Sequence, residues 1–292
     1  MPKVPEQLGP LKLVEQIGVG RQCQIWAALE TPAAGQSPRK CVVKVVVPDA
    51  TGDAEQRKLL EHELKVAKAC DHPGVIKIDR LAEASGLAFL VMEIFPHPNL
   101  KKQLAQGVDA LAPKVSRIMT ELSLAVDHLH ARGWVHRDLK PENVLAADDG
   151  RVKLIDLAIA SPMPGVLGRL LGGGSKPQGS PSYMSPEQIR GQSVDGRSDI
   201  YSLGCLFFEM LSGKPPFASP NQNDLLNKHV SSPPPAVESV NKNVTTAMSK
   251  FLRDMLAKKP GDRPASMKEV QKTLRSIRVF ERAAEIPPQK RG

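Results

Sequence analysis

Cysteine is scarce: four in 292 residues, at Cys23, Cys41, Cys70 and Cys205, with no metal-ligand spacing. That excludes a dense disulfide framework and a zinc site built on paired cysteines, and leaves reduced thiols as the expectation. Aromatic residues make up only 4% of the chain, and the basic residues form no long run. No nucleic-acid partner is therefore expected, although the formal net charge is +9. The charge reads as a solvated surface that favours acidic partners or a nucleotide. No apolar run approaches the length of a membrane span. The N-terminal MPKVPEQLGPLKL lacks the apolar core of a signal peptide. Cytoplasm is the expected location, and oligomeric state is not legible.

What is present suits one large domain or two lobes with substantial cores: 41% apolar and 24% charged residues. The chain is organised around Val135–Leu145, VHRDLKPENVL, which puts Asp138, Lys140 and Asn143 in one short loop. Thirteen residues after Asn143 comes Asp156, in KLIDLA. An acid to orient a hydroxyl, a lysine for a transferring phosphoryl group and two oxygen ligands for magnesium are the parts phosphoryl transfer needs. A polar turn between two short strands is the bland alternative. The unbroken run HRDLKPEN with Asp156 beyond it is too specific for that.

This pattern resembles the catalytic loop and magnesium motif of protein kinases. By that resemblance Asp138 orients the substrate hydroxyl and accepts its proton. Lys140 neutralises charge on the γ-phosphate, and Asn143 and Asp156 hold Mg2+. His136 is expected to support Asp156 and the core. The magnesium motif reads DLA where DFG is usual; Leu157 can fill the apolar pocket, and Ala158 narrows the backbone range.

The motifs before and after fall in the family's order. LKLVEQIG alternates as a strand, and GVGRQCQIWAALE follows as a turn and a second strand. Two glycines in a hairpin usually just make a turn, but Gly18 and Gly20 also let backbone amides approach phosphates. The loop resembles the kinase glycine-rich loop, with Cys23 in place of the third glycine. The resemblance implies ATP contacts from Ile17, Gly18, Val19, Gly20 and Ile25. Cys23 reads as inert rather than as an oxidisable thiol. In the strand CVVKVVV, Lys44 interrupts an apolar run, where a lysine is costly unless paired. The resemblance makes it the phosphate-gripping lysine. Its partner is expected in the helix DAEQRKLLEHELKVAKAC: Glu63, nine residues before His72, with Glu61 as the fallback. IKIDRLAEASGLAFLVMEIF reads as two strands leading to a hinge. There Met92 would line the adenine pocket, the Glu93 carbonyl and Phe95 amide would bond adenine, and Leu145 would add an apolar contact.

Beyond the hinge the chain reads as mostly helical. ALAPKVSRIMTELSLAVDHLHARG carries a helical apolar stripe ending at Gly133. His128 and His130 read as surface residues. The glycine-rich stretch from Asp156 to Glu187 resembles an activation segment ending in SPE (Ser185, Pro186, Glu187). By analogy Arg137 grips a phosphorylated segment, with Ser175 the best-placed acceptor. Ser180 matches the hydroxyl that contacts the catalytic acid and lysine in Ser/Thr-specific kinases. Asp199 is expected to tie its helix to the catalytic-loop backbone, and Arg263 to pair with Glu187. The last helix is expected over MKEVQKTLRSIRVFERAAE. Asn99 gives no reason to expect a basic residue upstream of the acceptor, although Glu142 could attract one.

The resemblance is to bacterial, eukaryotic-like serine/threonine protein kinases and covers residues 11 to 279. Many of these continue into a membrane span and extracellular repeats; no such run occurs within these 292 residues. The implied fold class is α+β, a bilobal protein kinase-like fold. A small antiparallel β-sheet lobe with one main helix (about 11–92), a hinge (93–98) and a larger, mostly helical lobe (99–279) make it up. A short, poorly ordered lead-in (1–10) and a tail (280–292) flank them. ATP and Mg2+ are the expected cofactors, bound between the lobes, and proteins bearing Ser/Thr the expected substrates. A nucleotide-binding pseudokinase scaffold and a small-molecule phosphotransferase are the alternatives.

Overall fold

The structure is a computed structural model that describes residues 4–20, 23–31, 37–46, 53–165 and 177–282. The chain divides into two compact units: Met1–Pro96 with Asp156–Ala158, and His97–Ile155 with Ile159–Gly292.

The first unit is an antiparallel sheet with one long helix, Asp53–Ala69. Its strands are β1 (Gln7–Leu8), β2 (Leu11–Val19), β3 (Cys23–Glu30), β4 (Arg39–Val46), β5 (Ile78–Ala84) and β6 (Leu87–Met92), in the order β1-β2-β3-β4-β6-β5. Period-2 alternation decides the two faces of β4. Cys41, Val43 and Val45 join Leu11, Leu13, Phe89 and Val91 in a buried cluster. Val42 and Lys44 point to the other face. The expectation of a poorly ordered lead-in is corrected for residues 4–10. Leu8 is fully buried, Val4 nearly so, and β1 pairs with β2 through Leu8 and Leu11. Two apolar side chains that close the edge of the sheet outweigh the disorder usual near a terminus.

The second unit is mainly helical. Its core gathers around the helices Val115–Ala131 and Gly196–Ser212. The first ends at Arg132 and Gly133 (φ +80°), the second at Gly213 (φ +78°). These are left-handed positions that glycine takes without the Cβ penalty other residues meet. At Gly204 a Cβ would stand 3.1 Å from Met255 Cβ and 3.2 Å from Leu256, so the glycine lets the Thr246–Met255 helix approach closely. The Gln222–Ser231 helix begins on the Asn221 cap.

The last helix is shorter than expected. It spans Met267–Ser276, and Ile277 turns to extended backbone. Thr245 then donates to the Val279 carbonyl at 3.0 Å, and Phe280 bridges Val244. A β-branched pair and a phenylalanine with core to fill override the helical pattern. Among the described residues no helix is long and apolar enough to cross a membrane.

Candidate active site

The second unit builds a polar triangle on the loop after Trp134–Val135. Lys140 Nζ donates to Asp138 Oδ2 at 2.6 Å and to Ser180 Oγ at 2.7 Å. The Ser180 N–H donates to Asp138 Oδ1 at 2.8 Å. Both oxygens of Asp138 are thereby aimed, and Ser180 is the hydroxyl that touches acid and lysine together. Asn143 lies in the 3-10 turn Pro141–Asn143. Its Nδ2 donates to the Asp138 carbonyl at 2.9 Å and to Asp138 Oδ2 at 3.2 Å. With the amide nitrogen so used, the amide oxygen is the atom suited to a hard cation. Leu145 follows in Val144–Ala146, paired with Lys153, and bridges Asn99.

Backbone strain in this loop is held from three sides. Arg137 has φ +72°, an uncommon conformation for a side-chain-bearing residue. Buried Asp199 accepts from the His136 N–H at 2.8 Å and the Arg137 N–H at 2.9 Å, the tie expected of it. Gln188 Nε2 donates to the Arg137 carbonyl at 2.9 Å. Burial opposes the Asp199 charge. The hydrogen bond and charge of His130, with the backbone donors, overcome that and hold its carboxyl below the ordinary range. Burial lowers the Arg137 pKa, with the Asp199 charge opposing. His136 Nδ1 accepts from the Asp138 N–H at 3.2 Å, so this ring braces the loop itself.

His130 is a correction. It is not a surface residue: its Nε2 stands 2.8 Å from Asp199 Oδ2, and its side chain is 11% exposed. A lone histidine at a helix end carries no local sign of a partner 69 residues away. Gln188 was missed for the same reason.

The activation-type segment is anchored at SPE. Ser185 caps the Pro186–Ile189 helix with a reciprocal Gln188 contact and a proline at the first turn. Glu187 binds Arg263 through two bonds, at 2.7 and 2.9 Å, and accepts from Ser198 Oγ at 2.6 Å. Burial opposes its charge, but Arg263 prevails and lowers its pKa. Ser175 lies outside the described residues.

In the first unit Lys44 Nζ is 2.7 Å from Glu63 Oε2 and 3.0 Å from Asp156 Oδ1. Burial disfavours the ammonium. Glu63 and then Asp156 outweigh it and raise the Lys44 pKa above its ordinary value. Glu61 faces elsewhere, paired with Arg57 at 3.0 Å. Asp156 has φ +66°, a region aspartate tolerates better than most residues, and Leu157 behind it is fully buried. Gly18 pairs with Ile25, Ile25 with Lys44 and Lys44 with Leu90 across the sheet. Ile25 and Lys44 thus share one face, and Met92, opposite Val42, lies on it too. Ile17 and Val19 are exposed. The Gly20 N–H bonds the Cys23 carbonyl at 2.8 Å, and a Cβ on Gly20 would meet Cys23 Sγ at 2.7 Å. Burial pushes the Cys23 thiol up, which fits the inert reading. The Glu93 N–H bonds the Lys77 carbonyl at 3.0 Å, and Phe95 is half-buried.

Comparison with known proteins adds to this geometry. A family model described as the protein kinase domain matches residues 11–274. A probable serine/threonine-protein kinase of Clostridium acetobutylicum is 28% identical over 267 residues, 91% of this chain and 40% of that protein. The serine/threonine-protein kinase PknH of Mycobacterium tuberculosis is 29% identical over 90% of this chain and 41% of its own length. PknF of the same species is 30% identical over 86% of this chain and 52% of its own length. The chain thus spans about half the length, or less, of these curated relatives.

Proposed function

This chain belongs to the protein kinase domain family, and on that premise we propose that it transfers the γ-phosphoryl group of ATP, with magnesium, to serine or threonine hydroxyls of proteins. The observation that carries the reading is the triangle of Asp138, Lys140 and Ser180, with bonds of 2.6, 2.7 and 2.8 Å. ATP supplies the phosphoryl group and magnesium the positive charge that balances it. Asp138 orients the acceptor hydroxyl and takes its proton at a carboxylate oxygen. Lys140 holds an ammonium beside that oxygen, where charge on the phosphoryl oxygens would develop. Lys44, kept charged by Glu63, is the phosphate-holding lysine. Asn143 and Asp156 offer hard oxygens, the donor type magnesium takes.

Ser180 on the acid and lysine supports serine or threonine rather than tyrosine as acceptor. In this reading Ile17, Gly18, Val19, Gly20, Ile25, Met92, Glu93, Phe95 and Leu145 contact the nucleotide. Arg137 and Ser175 belong to control of the segment. The relatives' names favour transfer over a nucleotide-binding scaffold.

The test is incubation with γ-labelled ATP and magnesium, followed by phosphoamino-acid analysis of the chain and of an added acceptor protein. Label on serine and threonine, abolished by a magnesium chelator, is expected. Label on tyrosine alone, or on a small-molecule acceptor in preference to protein, would refute the reading.

A further inference from the structure

Lys258 lies outside these motifs, yet its half-buried ammonium meets several partners within the second unit. Its Nζ donates to the His229 carbonyl at 2.8 Å and the Lys228 carbonyl at 3.3 Å. Both belong to the last turn of the Gln222–Ser231 helix, where a cation is favoured; the Lys228 carbonyl also takes the Ser232 N–H. The ammonium also stands 4.2 Å from the centre of the Phe217 ring. His229 is fully buried, and its Nδ1 lies 3.0 Å from Tyr201 Oη. Tyr201 packs with Tyr183, Cys205 and Leu256 in a buried cluster. Its neighbour Ser202 donates to the Tyr183 carbonyl at 2.7 Å. Tyr183 is three residues past Ser180, and its own N–H bonds the Ser180 carbonyl at 2.9 Å. Hydrogen bonds and the packed Tyr201–Tyr183 cluster thus connect Lys258 to the segment that touches Asp138 and Lys140.

We propose that Lys258 is a positioning residue for the acceptor protein. Its charged ammonium pins the end of the Gln222–Ser231 helix. Through His229 and Tyr201 it holds the Ser180–Tyr183 segment in the arrangement that receives the acceptor. This rests on the kinase reading above.

The charges around Lys258 make the idea testable by pH. Burial lowers Lys258 to about 8, with Cys205 opposing and Arg263 adding. Burial and then the Lys258 charge lower His229 to about 4, against the nearby Ser182 backbone, so this ring is neutral near pH 7. Burial pushes the Cys205 thiol and the Tyr201 hydroxyl up, out of reach. Arg263 is committed to Glu187. Of the groups in this cluster, Lys258 is the one whose charge changes as the pH rises from about 7 to 9.

The experiment compares wild type, Lys258→Arg and Lys258→Met with myelin basic protein as acceptor, from about pH 6.5 to about 9. The wild-type KM for acceptor should stay flat to about pH 7.5 and rise about five-fold by about pH 9. Lys258→Arg should keep the low value throughout. Lys258→Met should show the raised value at all pH, with the KM for ATP and kcat changed less than about two-fold. An unchanged acceptor KM in Lys258→Met, or equal losses in all three constants, would overturn the proposal. Amide hydrogen exchange reads the same coupling without catalysis. Lys258→Met should speed exchange at Tyr183 as well as at Ser232, whose N–H bonds the Lys228 carbonyl. Faster exchange confined to the helix end would also overturn it. Silence of the wild type toward ATP would instead sink the kinase reading and leave the exchange result to decide the positioning claim.

Discussion

Arg263→Ala removes five hydrogen bonds at once. Nε bonds the Ala257 carbonyl at 2.7 Å. Nη1 bonds Glu187 Oε1 at 2.7 Å and the Arg197 carbonyl at 2.9 Å. Nη2 bonds Glu187 Oε2 at 2.9 Å and the Lys258 carbonyl at 3.1 Å. The Arg263 and Glu187 side chains are 0% and 5% exposed, so the variant strands a carboxylate in the interior. Breaking such a pair costs about 3–5 kcal/mol. For a unit of about 190 residues the unfolding entropy is roughly 0.4 kcal/mol per kelvin. The melting temperature should therefore fall by about 8–12 °C at pH 7, read by circular dichroism. Arg263→Met with Glu187→Leu should recover part of this, because no charge is left behind.

The pH dependence follows from the lowered pKa of Glu187, whose ordinary value is 4.5. The pair's contribution is complete above that value and is lost as the pH falls through the lower, folded one. The deficit of Arg263→Ala should therefore shrink in acid. A fall of less than about 3 °C at pH 7, or a deficit that does not shrink in acid, would refute the reasoning.

Lys44→Met leaves Glu63, 1% exposed, beside Asp156 without its cation. Phosphate transfer should fall at least ~100-fold, and the first unit should melt several degrees lower. Adding Glu63→Gln should restore melting but not transfer; recovery of transfer in the double variant would contradict the phosphate-holding role. For Cys23, burial raises the thiol pKa above its ordinary 9.0. Alkylation by iodoacetamide near pH 7.5 should run roughly ten-fold or more slower than for an exposed cysteine peptide. Complete labelling at the peptide's rate would contradict this.

The parts legible in the sequence were those whose chemistry is local. HRDLKPEN packs an acid, a lysine and an amide into one turn, so residue type and spacing already carry the geometry that Asp138, Lys140 and Asn143 adopt. The alternation of CVVKVVV likewise separates Lys44 from the sheet's core face. What was not legible depends on partners distant in the chain. Strand β1 is two residues long and exists because β2 accepts it. The last helix stops at Ser276 because Val279 and Phe280 are drawn to Thr245 and Val244. His130 and Lys258 have unremarked local contexts, and their roles come from Asp199 and from the end of the Gln222–Ser231 helix.

The most direct test of the account is single-turnover transfer from labelled ATP with magnesium, wild type beside Asp138→Asn, with nucleotide affinity measured in parallel. The account predicts transfer by the wild type, a loss of roughly 100-fold or more in Asp138→Asn, and nucleotide affinity unchanged within about two-fold. Equal transfer by the two proteins, or equal silence from both with nucleotide still bound, would contradict it.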